Sequence, residues 1–237
     1  MKWLKSCIFA AFACAGLHPA HADEAFIEAN ILSIFYHELG HALIDVVQLP
    51  VFGQEEDAAD VLSVILINDL FDEETAVSIA YDAAFGFLAE AEQAQPVFWD
   101  VHGPDEQRYF TLVCLFFGAN PDEREDLAQE LGLPEDRAVS CEEEYELAAD
   151  SWGGVLDELQ AAGPGSTLKF SAAGDGLIQS IVRDEVAALN AEFSLPHDLD
   201  VVVEACEEAN AFYDPEARQI IICTELHDHL TEMAKGL

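Results

Sequence analysis

The sequence predicts a mainly helical α+β fold with a small β hairpin or sheet near its C-terminus. Three observations carry this. Up to about position 160 the chain divides into long segments of helical pattern, punctuated by Pro and Gly. The one clear linker, Ala161-Ala162-Gly163-Pro164-Gly165-Ser166, follows them. Beyond it a Val-rich strand segment, 199–205, and a second one, 219–224, lie on either side of an Asp214-Pro215 turn.

The first 22 residues read as a secretory leader. Lys2 and Lys5 precede an apolar run over 8–17, and Ala20-His21-Ala22 is an A-x-A cleavage site. The run is too short to be a permanent membrane anchor, and no later segment is long and apolar enough to be one. Ala-Phe-Ala before Cys14 is a poor lipidation signal. The mature protein is therefore expected to be one domain, 23–237, secreted or periplasmic, with no stable membrane insertion. A chain of this length that is 51% hydrophobic can bury one sizeable core. Cleavage would leave Cys114, Cys141, Cys206 and Cys223, an even set that predicts two disulfides in an oxidising compartment. The sequence-local pairing is Cys114–Cys141 and Cys206–Cys223. With 47 Asp and Glu against 9 Lys and Arg, the net charge is −38. That excludes nucleic acid and anionic membrane surfaces as partners. It suits a strongly hydrated exported protein, and a preference for basic substrates is a sharper reading of the same charge.

The first helix, 24–48 with Asp23 as its cap, is apolar over much of its surface and so belongs in the core. It carries His37-Glu38-Leu39-Gly40-His41. Histidines at i and i+4 share a helix face and reach one ion, while the glutamate between them can hold a water on that ion. Gly40 allows close packing beside the metal. Leu49-Pro50 and Gly53 turn the chain into a second helix, 55–70, which must pack antiparallel to the first. There Glu56 and Asp60 are one turn apart. A catalytic Zn2+ takes three protein ligands and a water, and a ligating histidine needs a carboxylate on its other nitrogen. Glu56 is assigned as the third ligand after His37 and His41, and Asp60 as the partner of His37. The acidic helix start alone would explain Glu55, Glu56 and Asp57, but not Asp60.

A scaffold helix, 73–95, is capped by Asp72. Pro96 ends it, and the loop 97–103 leads to a helix from Pro104 to Phe117. His102 and then Tyr109 are the expected donors to a developing oxyanion. Arg108 is a candidate for a substrate carboxylate or an internal ion pair. A short acidic helix spans 121–131 and another helix 139–160. In the latter, Glu146-x-x-x-Asp150 repeats the spacing of Glu56 and Asp60, making Glu146 the rival ligand. A strand is expected over 167–171 and a helix within 174–193. The segments 199–205 and 219–224 then pair as a hairpin, with Cys206 opposite Cys223. His227 and His229 read as surface residues.

His-Glu-x-x-His followed by Glu-x-x-x-Asp resembles the gluzincin signature of thermolysin-like peptidases. There the later Glu is the third zinc ligand and the Asp orients the first histidine. More closely, the chain resembles a bacterial metallopeptidase-like family carried as a domain of unknown function. The matching pieces are 36–42, 53–60, 102–108 and 210–215, which span most of the mature chain. The resemblance implies a zincin-like zinc peptidase acting on a peptide or protein. Glu38 would be its base, and Asn210 and Ala211 a substrate-pairing edge strand. In the usual zincin order that strand precedes the metal helix; here it follows. The rival readings are a zinc- or peptide-binding protein without turnover and a zinc hydrolase of non-peptide amides.

Overall fold

The computed structural model describes residues 19–93 and 95–236. Nine helices and four strands occur among them: α1 (Pro19–Val47), α2 (Glu55–Leu70), α3 (Glu73–Gln93), α4 (Asp105–Ala119), α5 (Pro121–Glu130), α6 (Glu135–Ala138), α7 (Cys141–Ala162), β1 (Leu168–Ala172), α8 (Leu177–Glu192), β2 (Leu199–Glu204), β3 (Ala211–Asp214), β4 (Gln219–Cys223) and α9 (Leu226–Ala234). This is the mainly helical α+β class that the sequence predicts.

α1 is the axis of the molecule. Phe26, Ile31, Phe35, Tyr36, Leu39 and Leu43 bury around its circumference, so it needs neighbours on every side. It packs against α2, α3, α8 and α9 and against the sheet through β3 and β4. Its start differs from expectation, since the helix opens at Pro19 and Asp23 lies inside it rather than capping it. Proline's fixed φ suits a first helical position, and Ala20-His21-Ala22 offers nothing to break the turn that follows. The expected leader boundary falls within that turn, and residues 1–18, with Cys7 and Cys14, lie outside the described residues. α1 stops where Gln48 adopts φ 57° and Pro50 follows.

Two close approaches fix the helices that bear the site. A Cβ at Gly40 would lie 2.8 Å from the Ala59 Cα, so α1 and α2 touch backbone to backbone beside the motif. A Cβ at Gly118 would sit 2.0 Å from the Cys141 carbonyl oxygen. There α4 meets α7, and the Cys114–Cys141 disulfide ties them together (Cα–Cα 5.1 Å). Trp152 of α7 in turn donates its indole N–H to the Ala58 carbonyl of α2 at 3.2 Å.

The sheet has the order β1-β2-β4-β3. β1, β2 and β4 run parallel, and β3 pairs antiparallel with β4. The expected hairpin of 199–205 with 219–224 is therefore corrected. Those strands are parallel neighbours, and the Asp214-Pro215 turn joins β3 to β4 instead. The predicted disulfide Cys206–Cys223 is present, with Cα–Cα 5.4 Å. Parallel pairing explains it, because it puts the C-terminal ends of β2 and β4 side by side. β3, whose Asn210-Ala211 start resembles a substrate-pairing strand, is one of the two edge strands of the sheet, β1 being the other. Among the described residues no helix is long and apolar enough to cross a membrane.

Candidate metal centre and its cleft

One face of α1 carries Asn30, Ile34, His37, His41 and Asp45, each about a turn from the last, as the floor of a cleft of about 740 Å³. α2 runs along one side and supplies Glu55, Glu56 and Asp60; β3 and α9 close another. The Nε2 atoms of His37 and His41 are 3.2 Å apart. Glu56 Oε2 lies 3.2 Å from the first and 3.1 Å from the second. One ligand atom from each of the three residues lies within 4.8 Å of those of the other two.

The other nitrogen of each ring is held by a carboxylate. His37 Nδ1 is 2.7 Å from Asp60 Oδ1, and His41 Nδ1 is 2.8 Å from Glu55 Oε1. An ionised carboxylate only accepts, so each Nδ1 donates and each Nε2 of a neutral ring keeps its lone pair. Two nitrogen lone pairs and a carboxylate oxygen then converge with no proton to share. Such a set is repulsive without a positive charge between its members, and it fits a metal ion by donor type, number and direction. The titration of the protein by itself agrees. Burial would lower the pKa of His37, yet its bonds to Asp60 and Glu56 raise it to about 9. Burial would raise that of Glu56, yet bonds from His102, His37 and His41 hold it far below the ordinary carboxylate range.

Behind the histidines stands Arg108. Its Nε and one Nη donate to Asp60 at 2.8 and 2.9 Å, and its guanidinium lies 4.5 Å from the Phe87 ring centroid. Its third nitrogen is 3.6 Å from Asp105. Arg108 thus forms the internal ion pair that was one of its two expected roles. A substrate carboxylate would have to compete with Asp60 for it. Burial pushes the Asp60 carboxyl up, but Arg108 and His37 bring it down to about 2.

Glu38 is buried, lines the cleft and makes no hydrogen bond among the described residues. Burial raises its pKa, and the neighbouring His37 and His41 counter this only in part. A carboxylate placed in this way, facing the cleft beside the three donors, can exchange a proton with a group bound there. His102, at the end of the loop before α4, reaches in from the cleft's edge. Its Nε2 is 2.9 Å from Glu56 Oε2 and its ring stacks on His37 at 6.1 Å.

Two sequence expectations are corrected. Tyr109 is buried and donates its hydroxyl to the Leu131 carbonyl at 2.6 Å, on the side of α4 away from the cleft, so it cannot act as an oxyanion donor. Glu146 is exposed on α7 and outside the group; Glu56 is the carboxylate that joins the histidines. Asn210 and Ala211 both line the cleft. Sequence reasoning missed Glu55, although the rule that gave His37 a partner asks for one on His41 too. It also missed the pair of His229 Nε2 and Glu90 Oε1, 2.6 Å apart, which faces the cleft rather than open solvent. No local signal marks that pair, whose members are 139 residues apart.

The family model DUF4344, described as "Putative metallopeptidase", matches residues 10–156 and 166–236. No curated protein and no solved structure matches the chain.

Proposed function

The chain belongs to this family, and from that membership and the site we propose that it is an exported zinc metallopeptidase of gluzincin type. The observation that carries the reading is the convergence of His37 Nε2, His41 Nε2 and a Glu56 oxygen beside a buried, unpaired Glu38. His37, His41 and Glu56 would hold Zn2+, which when bound supplies Lewis acidity to a water and to the scissile carbonyl. Glu38 accepts a proton from the attacking water and returns it to the leaving amine. Asp60 and Glu55 keep the two rings in the tautomer that presents Nε2. Arg108 holds Asp60. His102 donates to the oxygen that becomes negative as the carbonyl is attacked. The substrate backbone lies beside Asn210 and Ala211 of β3, whose outer edge can accept an added strand. The two disulfides support an oxidising, extracytoplasmic location.

The test is Glu38→Gln, which keeps shape and removes the base. Metal content by mass spectrometry should stay near that of the wild type. Hydrolysis of a casein digest should fall by about 10²–10⁴-fold. Hydrolysis that survives the substitution sinks the mechanism.

A further inference from the structure

The cleft beyond the metal donors has two unlike linings. Where α1, α3 and α9 meet, Ile34, Phe87, Leu226, Leu230 and Met233 make it apolar. Beside this patch stand two carboxylates from different helices: Glu90 of α3, whose Oε1 is 2.6 Å from His229 Nε2, so that a ligand cation would share it with that ring, and Asp105 at the start of α4. Their side chains are 42% and 30% exposed, open enough to meet a ligand and sheltered enough to feel one strongly. They also feel each other. Burial raises the Asp105 pKa, the charge of Glu90 adds to that, and Arg108 answers only in part, being spent on Asp60. Among the described residues that line the cleft, seven carboxylates face one guanidinium, that of Arg108, with four histidines and no lysine.

We propose that this cleft selects cationic peptides. A substrate Lys or Arg pairs with Glu90 and Asp105, while a neighbouring apolar side chain fills the patch of Ile34, Phe87, Leu226, Leu230 and Met233. The proposal rests on the peptidase reading and names its substrate class. Complementary charge is what the observations favour. An acidic residue at the same place would add a third carboxylate to two that already repel. A lysine relieves that repulsion, and its alkyl stem can lie along the apolar lining. The cleft volume of about 740 Å³ lies within the range of small-ligand sites and admits a few residues. The overall charge of −38 further concentrates cationic peptides near the protein at low ionic strength.

The experiment uses paired peptides, identical except for Lys or Glu beside a central Leu. Binding is read by fluorescence anisotropy on the zinc-loaded Glu38→Gln protein, and cleavage by mass spectrometry with the wild type. The Lys peptide should bind and turn over about tenfold or more better at low salt, with the gap shrinking in 0.5 M salt. The double variant Glu90→Gln/Asp105→Asn should narrow the gap to about threefold. Asp105→Asn alone, at the half-buried helix start, should move the gap the same way if the double variant does not fold. A Lys preference in binding with no cleavage of any peptide supports the cation subsite and overturns the peptidase reading alone. Equal binding and cleavage of the Lys and Glu peptides overturns the proposal and spares the peptidase reading. A preference untouched by both variants also overturns it.

Discussion

Replacing Asp60 by Asn should separate two jobs that one carboxylate performs. Asp60 accepts from His37 Nδ1 at 2.7 Å and takes two bonds from Arg108 at 2.8 and 2.9 Å. Both members of the ion pair are largely buried, with side-chain exposures of 17% and 18%. Burial opposes ionisation of Asp60, but Arg108 and His37 overcome it and hold the carboxyl at about 2 against an ordinary 3.8. A depressed carboxyl contributes stability that is present above its unfolded value and is lost as pH falls through the folded one. Here that is about 2–3 kcal/mol at neutral pH, disappearing between about pH 4 and pH 2. An asparagine amide cannot accept from both neighbours. If its oxygen faces His37, its NH₂ opposes Arg108; if reversed, it forces His37 into the other tautomer. Asp60→Asn should therefore destabilise the metal-free protein by about 2–4 kcal/mol and weaken zinc binding by about 10–100-fold. Asp60→Asn/Arg108→Met removes the stranded cation and should recover much of the stability but none of the affinity. Urea melts and competition with a chromophoric chelator measure the two effects. Zinc affinity within twofold of wild type in Asp60→Asn, or recovery of both quantities in the double variant, refutes the reasoning.

Gly40→Ala should cost about 1–3 kcal/mol and weaken zinc binding together. The new methyl meets the Ala59 backbone at 2.8 Å, and α2 cannot retreat without carrying Glu55, Glu56 and Asp60 with it. Gly154→Ala on α7, where a Cβ meets nothing within 4 Å, is the control. It should raise stability by up to about 1 kcal/mol in the same melts. Asp82 tests the scaffold: burial pushes its carboxyl up to about 6 from 3.8. A raised carboxyl withdraws stability as pH climbs from its unfolded value to its folded one. Asp82→Asn should therefore raise the stability measured in urea melts at pH 7 by about 1–2 kcal/mol, after allowing for partial exposure, and change little at pH 4. An equal effect at both pH values would show that packing and not charge sets the difference.

The parts of the fold visible in the sequence are those decided by local chemistry. α2 begins at Glu55 and ends at Leu70 as expected, because Pro50, Gly53 and Asp72 bracket one uninterrupted helical pattern. The error over the sheet is of another kind. The segments 199–204 and 219–223 show the same β-branched character whether they pair parallel or antiparallel. The intervening β3 is only four residues long, with a half-buried pattern that marks no face. A turn at Asp214-Pro215 says that the chain reverses there, not which strand enters the turn. The disulfide held the missing clue. Cys206 lies two residues past the end of β2 and Cys223 is the last residue of β4, so a bond between them joins two strand ends. That arrangement belongs to parallel neighbours. Read in that way, the pairing already expected from the cysteine count argues against the hairpin.

The site divides along the same line. Spacing on one helix brought out His37, Glu38 and His41, and the rule that a ligand needs a partner led to Asp60 on the next. What spacing could not distinguish was which of two Glu-x-x-x-Asp repeats faced the histidines. Contact decides that: Gly40 lets α1 and α2 approach to backbone distance, whereas α7 reaches α2 from its other side through Trp152 and Ala58. Tyr109 failed for a related reason. It lies next to Arg108, and neighbours on a helix point about 100° apart, so one can face the cleft only if the other turns towards Leu131. The same geometry makes the far side of the cleft unreadable from sequence. Glu90, Asp105 and His229 come from three helices, and only the packing of α3 and α9 on α1 turns them to one space. On the proposed reading, substrate preference would therefore rest on tertiary packing, while the candidate metal centre rests mostly on two adjacent helices. Substitutions at Glu90 and Asp105 should accordingly alter which peptide is cut without altering how tightly the metal is held.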